Sequence, residues 1–291
     1  MKRKAGLLIV VLIWLAGCGH TVQRYNSSAV DYLFPDKDHI VEKTGLPHLQ
    51  LPIRVGVAFV PGNQGKNGYR SGGLWTGGSA GREDAVLSET DKTVLLEKVG
   101  QRFETLEFID TIEIIPSAYL VPQGSFFNLD QIRTMFDVDV IALVSYDQTQ
   151  FTDEGVASIT YWTLVGAYIV PGEKNATHTM VDAAVYDIKS RTLLFRAPGV
   201  SRIKSTATPV NLSEQLRKDR VTAFQQAADD LIVNLEEQLN RFRETIEKQP
   251  EKVKISRRAG YSGGGFTGGS FAVLFAVAGI VGWCLNRRRG R

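Results

Sequence analysis

Cys18 is the residue of this 291-residue chain whose type and setting most directly imply covalent chemistry. Its thiol follows Leu15, Ala16 and Gly17, at the end of an apolar stretch that begins behind Lys2, Arg3 and Lys4. A positive start, a short apolar core and small residues before a cut are the parts of a secretory signal, and the stretch is too short to span a bilayer comfortably. Residues 1–17 are therefore expected to be removed between Gly17 and Cys18. The second cysteine, Cys284, lies in an apolar stretch near the other end, so the pair cannot form a structural disulfide in the body between them.

Other reactive residue types form no comparable pattern. His20, His39, His48 and His178 are too dispersed for a metal site. His178 and Asp182 share a face of a predicted strand, where a satisfied or solvent-facing pair competes with a catalytic dyad. Asp147, Asp153, Glu154 and Asp187 gather near predicted strand ends, where turn and cap roles compete with a glycosidase-like pair. No serine stands in a Gly-x-Ser-x-Gly elbow. The run Gly62-Asn63-Gln64-Gly65-Lys66-Asn67-Gly68 follows a strand but misses the spacing of a phosphate loop. Tyr161, Trp162, Tyr168 and Tyr186 offer aromatic surface for packing or docking. No metal or cofactor is expected, and the chain reads as non-enzymatic.

The C-terminus carries a second address. Residues 270–286 hold no charge, at the lower edge of the ~20 residues a helix needs to cross about 30 Å of hydrocarbon. Arg287, Arg288, Arg289 and Arg291 follow and favour the cytoplasmic side for that end. Just ahead stand Gly263, Gly264, Gly265, Gly268 and Gly269, interrupted by Phe266 and Thr267. Glycine loses the most backbone entropy on ordering, so such a run is easily drawn out of a helix and into a protease. A plain C-terminal anchor is the competing reading.

Leu15-Ala16-Gly17-Cys18 resembles the lipobox of bacterial lipoproteins. The resemblance implies that Cys18 is linked to diacylglycerol, cut from Gly17 by lipoprotein signal peptidase, and acylated on its new amine by acyl transferases. Each buried methylene contributes about 0.8 kcal/mol, and two or three acyl chains anchor stably where one is marginal. Gly19 stands where an Asp would favour inner-membrane retention, which points to the outer membrane. The tail resembles the GlyGly C-terminal sorting signal, whose processing enzyme is rhombosortase, a rhomboid-family intramembrane protease. Both together resemble the rhombotarget lipoprotein family, through Leu15 to Cys18 and Gly263 to Arg291 only. The implied protein is an outer-membrane or cell-surface lipoprotein, held transiently in the inner membrane, whose partner is an unnamed envelope protein. Retention of the tail would instead give a bitopic scaffold binding a cell-wall enzyme or secretion system. A surface hydrolase is a second alternative.

Charge narrows the partners. Removing the three cations of the signal and the four of the tail from the formal +3 leaves a body at −4. Nucleic acid is then not an expected partner, because phosphate binding needs clustered Lys and Arg.

Between the addresses, residues 18–52 read as a tether and 53–243 as one α/β domain, with a glycine-rich loop at 62–84. A charged spacer at 244–262 leads to the sorting tail at 263–291. Arg54 to Val60 predicts a buried strand and Glu89 to Glu104 an amphipathic helix. Strands follow at Ile112–Ile115 and Val138–Tyr146, with a short helix over Leu129–Phe136 opened by Asn128 between them. Ser158–Val170, Thr177–Tyr186 and Thr192–Phe195 with its continuation read as three further strands. Val221 to Ile246 steps by three and four, as one long amphipathic helix laid on the sheet. The expected fold is a mixed sheet of about six strands with helices mainly on one face. That element order is similar to the periplasmic domains of lipoproteins that activate peptidoglycan synthases and to the curli-secretion lipoprotein, a likeness that fixes no function.

Overall fold

The computed structural model describes residues 20–35, 43–62, 87–154, 173–208 and 210–261. Gly17, Cys18, the loop around Lys66, the aromatic residues Tyr161, Trp162 and Tyr168, and everything from Gly263 to Arg291 lie outside them.

The strand β5 (Val140–Glu154) organises the molecule. Its first residues pair in parallel with β3 (Ile53–Phe59), Val55 opposite Val140 and Phe59 opposite Val144. Beyond Phe59 that edge of β5 is vacant, and β1 (His20–Asn26) fills it antiparallel, from Asn26 opposite Asp147 to His20 opposite Asp153. An unpaired strand edge costs hydrogen bonds and invites aggregation, so this cover has a physical purpose. On the other edge β6 (Glu173–Asp187) pairs antiparallel along all of β5, and β7 (Thr192–Ala207) along β6. β4 (Ile109–Ile115) lies parallel on β3, which completes a mixed six-stranded sheet. β2 (His48–Leu51) and β8 (Lys254–Arg257) form a separate parallel ribbon.

Every residue of β5 from Val140 to Tyr146 is buried, so both faces of this part of the sheet need cover. On one face α2 (Glu89–Phe103) and α4 (Leu212–Lys248) pack Leu95, Val99, Phe224, Leu231 and Leu235 against Val57, Ala142, Val144 and Val185. On the other, α1 (Ala29–Leu33) and α3 (Ser125–Phe136) bring Tyr32, Leu33, Phe126 and Leu129 onto Ile141, Leu143 and Tyr186. The expectation of helices mainly on one face holds for the two long helices only. An apolar cavity of about 80 Å³ remains between Val57 and Ala142 below and Val99, Phe103, Leu235 and Leu239 above.

Three boundaries differ from expectation for clear reasons. Residues 18–52 are no loose tether where described, since they supply β1, α1 and β2. The spacer is likewise structured: α4 continues to Lys248, and Val253 and Ile255 turn into the core on either side of the start of β8. Asn128, read as a helix cap, is an interior residue of α3. Its Oδ1 accepts from the Tyr32 hydroxyl at 2.7 Å and the Val121 amide at 2.9 Å, and its Nδ2 donates to the Tyr119 carbonyl at 3.2 Å.

The first turns of α4 lie on a polar layer, not an apolar one. Gln148 donates to Thr179 Oγ1 at 2.6 Å and Gln150 to the Leu216 carbonyl at 2.9 Å, while Asp219 accepts from Ser205 and Gln215. Each such buried group needs its partner, because an unmade bond costs about 1–3 kcal/mol. Further along, α4 crosses β7 at Gly199, where a Cβ would collide with the Ala227 carbonyl and the Leu231 backbone.

Candidate functional site

The residues singled out by sequence lie at the two ends of the chain, so the geometry that bears on them is how the described chain approaches each end. At the N-terminal exit, β1 is fastened to β5 along its whole length. The Arg24 guanidinium grips Asp147 through two nitrogens, at 2.7 and 3.3 Å, and the hydrogen bond with that carboxylate raises the arginine pKa further. Tyr25 packs on Tyr146 with ring centroids 5.5 Å apart. Ser27 closes the strand, its amide donating to the Tyr146 carbonyl at 2.7 Å and its hydroxyl accepting from the Tyr146 amide at 3.0 Å. His20, the first described residue, is two positions after Cys18.

The C-terminal exit is a strap. The amide of Lys254 donates to the Pro47 carbonyl and that of Arg258 to the Leu51 carbonyl, each at 2.8 Å. Arg258 reaches Asp139 at 2.5 Å and lies 3.9 Å from Asp110. Arg54 holds the same Asp139 through two nitrogens, at 3.0 and 3.1 Å, and also pairs with Asp137. The hydrogen bond to Asp139 is the main cause of the raised Arg54 pKa. The Tyr261 hydroxyl donates to the Glu107 carbonyl at 3.0 Å, two positions before Gly263. Sequence carried no signal for this cluster, because Arg258 and Asp139 are 119 residues apart.

The two exits lie at opposite ends of β5. His20 pairs with Asp153, while the strap is fixed at Asp139, just before the strand begins. At ~3.3 Å per residue those ends are roughly 45 Å apart.

The other candidate residues are not brought together. His178 and Asp182 share a strand face but stand roughly 13 Å apart along it, four residues at ~3.3 Å each. Asp182 instead accepts from Arg196 at 2.6 Å, and burial raises its carboxyl pKa in spite of that arginine. The His178 ring meets Phe151 edge-on with centroids 5.6 Å apart. Asp147 belongs to Arg24, and buried Asp187 accepts from the Ser190 amide at 3.2 Å and the His48 amide at 3.4 Å, a turn role. Tyr186 is a core residue, 5.9 Å from Phe126 between ring centroids. His48 meets the Ser256 hydroxyl at 2.7 Å across the ribbon. Among the described residues no three ligand-type side chains gather for a metal, and no helix is long and apolar enough to cross a membrane. No protein-family model matches the chain, and no curated protein or solved structure matches it either.

Proposed function

We propose that the protein is a lipoprotein of the Gram-negative envelope, anchored through acyl chains on Cys18 and held temporarily by its C-terminal segment until a rhombosortase-type protease cuts at the glycine run. The body between the addresses acts by binding an envelope protein. The observation that carries this reading is the pair of motifs, Leu15-Ala16-Gly17-Cys18 and the run from Gly263 to Gly269 ahead of an uncharged stretch and Arg287. The fold is consistent with both segments serving as handling tags, since residues close to each motif are fastened to the body: His20 pairs with Asp153, and the Tyr261 hydroxyl bonds the Glu107 carbonyl.

Chain reach supports eventual release of the tail. From Tyr261 to Ser270 there are nine residues, which extend at most about 32 Å. The exits are roughly 45 Å apart, so a body tethered at both ends to one bilayer cannot stand upright on it. Removing the tail frees that end. The bitopic scaffold draws on the same geometry, since exits at opposite ends also suit attachment to two membranes.

The test is the mass of both mature termini in cells with and without the protease. Acylated Cys18 together with loss of Arg287 to Arg291 only where the protease is present is the expected result. An unchanged C-terminus in both strains removes the processing claim and favours the scaffold.

A further inference from the structure

Among the described residues, the outer half of the sheet is covered on one face only. Past Tyr146, α4 lies over the side carrying Gln148, Gln150, Thr177 and Thr179, while the opposite side shows exposed and half-exposed side chains. Strand register sets Arg24 of β1 opposite Thr149, Thr149 opposite His178, and His178 opposite Arg202 of β7, all on that open side. Lys204 and Lys174 belong to the same side, Lys204 two residues beyond Arg202 on β7 and Lys174 four residues before His178 on β6. Four exposed cations, Arg24, Lys174, Arg202 and Lys204, therefore share one sheet face with two carboxylates, Asp147 and Asp153. The body as a whole is at −4, so this positive excess is local. Apolar side chains stand among the cations: Phe151 is half-buried, Met180 is 37% exposed and Val200 is 59% exposed. The surface measures roughly 15 by 20 Å, from strand spacings of ~4.8 Å and a rise of ~3.3 Å per residue.

We propose that this open sheet face docks on a bilayer containing anionic lipid. Arg24 is held by Asp147, so Lys174, Arg202 and Lys204 meet headgroup phosphates, and Phe151, Met180 and Val200 rest against the boundary between headgroups and acyl chains. Two observations select a membrane as the occupant. The local charge is opposite to that of an anionic leaflet, and the chain just outside the described residues starts at this edge. Cys18 is two residues from His20, a reach of about 7 Å, so acyl chains there would enter the bilayer beside the face. In that respect the proposal rests on the lipoprotein reading. It also gives the doubly held body a posture, lying along the membrane with α4 outward.

The experiment uses the full chain with Cys284→Ser, reconstituted in vesicles of phosphatidylglycerol or of phosphatidylcholine. A fluorophore is carried at Thr206→Cys on the open face or at Val233→Cys on the outer side of α4, which is 66% exposed. Lipids brominated near the headgroup act as quenchers. The expected result is quenching at position 206 and not at 233, in phosphatidylglycerol only, and reversal by molar salt. Removing one cation near such a surface weakens docking about fivefold. The triple variant Lys174→Ala, Arg202→Ala, Lys204→Ala should therefore lose roughly a hundredfold and match the phosphatidylcholine signal. Equal quenching at the two positions, equal quenching in the two lipids, or an unaffected triple variant overturns the proposal. The mass of Cys18 in the same sample reports acylation separately, so loss of the lipoprotein reading and loss of the docking face are distinguishable.

Discussion

Arg258 and Asp139, 119 residues apart in sequence, meet at 2.5 Å and lock the last strand of the body to the start of its central one. Both side chains are about three-quarters buried, at 24% and 25% exposure, and Arg54 shares the carboxylate. The strap that precedes the tail is thereby part of the fold, and any pull on the tail is transmitted to β8 before it reaches the core.

Arg258→Ala should loosen this strap without unfolding the sheet. Arg54 still neutralises Asp139, so the loss falls below that of a fully buried pair stripped of one partner, at about 1–3 kcal/mol. Urea unfolding gives the magnitude. Amide exchange gives the place: protection should fall first at Lys254 to Arg258, with α4 unaffected. Uniform loss of protection across the sheet would contradict a local latch.

Gly199→Ala should be among the most damaging single-methyl changes in the chain. The added Cβ meets backbone of α4 at Ala227 and Leu231, which cannot rotate away as a side chain could. Displacing the helix from β7 should cost about 2–4 kcal/mol. The adjacent Asp230 and Asn234, which cap β7 at the Val200 amide and the Pro198 carbonyl, would lose their bonds with it. A thermal midpoint equal to the wild type would remove the close-packing argument.

These contacts show where sequence reasoning reached its limit. The apolar run of β5 and the steps from Phe224 to Leu235 in α4 were legible because burial writes a period into the chain. The first turns of α4, from Leu212, were not, because Gln150, Thr177 and Asp219 form a polar layer there and polar layers leave no apolar period. β1 was missed for the same reason: Arg24 and Gln23 point to solvent, and its partner is the polar half of β5. Charged residues of the spacer hid β8, where two inward positions, Val253 just before the strand and Ile255 within it, are too few to show a pattern. At the site level, sequence offered two terminal motifs as candidates, Leu15 to Cys18 and the glycines from Gly263. The ion pairs that fix the exits were not, because a salt bridge between distant positions has no local sequence signature.

Ala142→Val should stabilise the protein. Ala142 forms part of the floor of the apolar cavity of about 80 Å³, and valine suits a central strand. Residual cavity volume costs about 24 cal/mol per Å³, which sets an upper bound near 2 kcal/mol for filling it completely. A gain of about 0.5–1.5 kcal/mol in urea unfolding is the expected outcome for the two added methyl groups. A loss of stability would mean that α2 and α4 cannot accommodate them and that the space is too narrow for a branched side chain.

Asp182 gives a pH dependence with a definite sign. Burial raises its carboxyl pKa in the folded protein, and Arg196 only partly opposes that rise. A carboxyl whose folded pKa lies above its unfolded value binds its proton more tightly when folded, so its contribution to stability is complete below the unfolded pKa. That contribution is lost as pH climbs through the raised folded pKa. Asp182→Asn, which keeps the shape without the charge, should therefore gain stability relative to wild type as pH rises across this window, and the gain should level off above it. Arg196→Ala should act in the opposite direction at neutral pH, because it leaves the nearly buried carboxylate unpaired, at 9% side-chain exposure. Unfolding curves at several pH values for the two variants separate burial from pairing. If Asp182→Asn instead loses stability as pH rises, the arginine outweighs desolvation and the folded pKa is depressed.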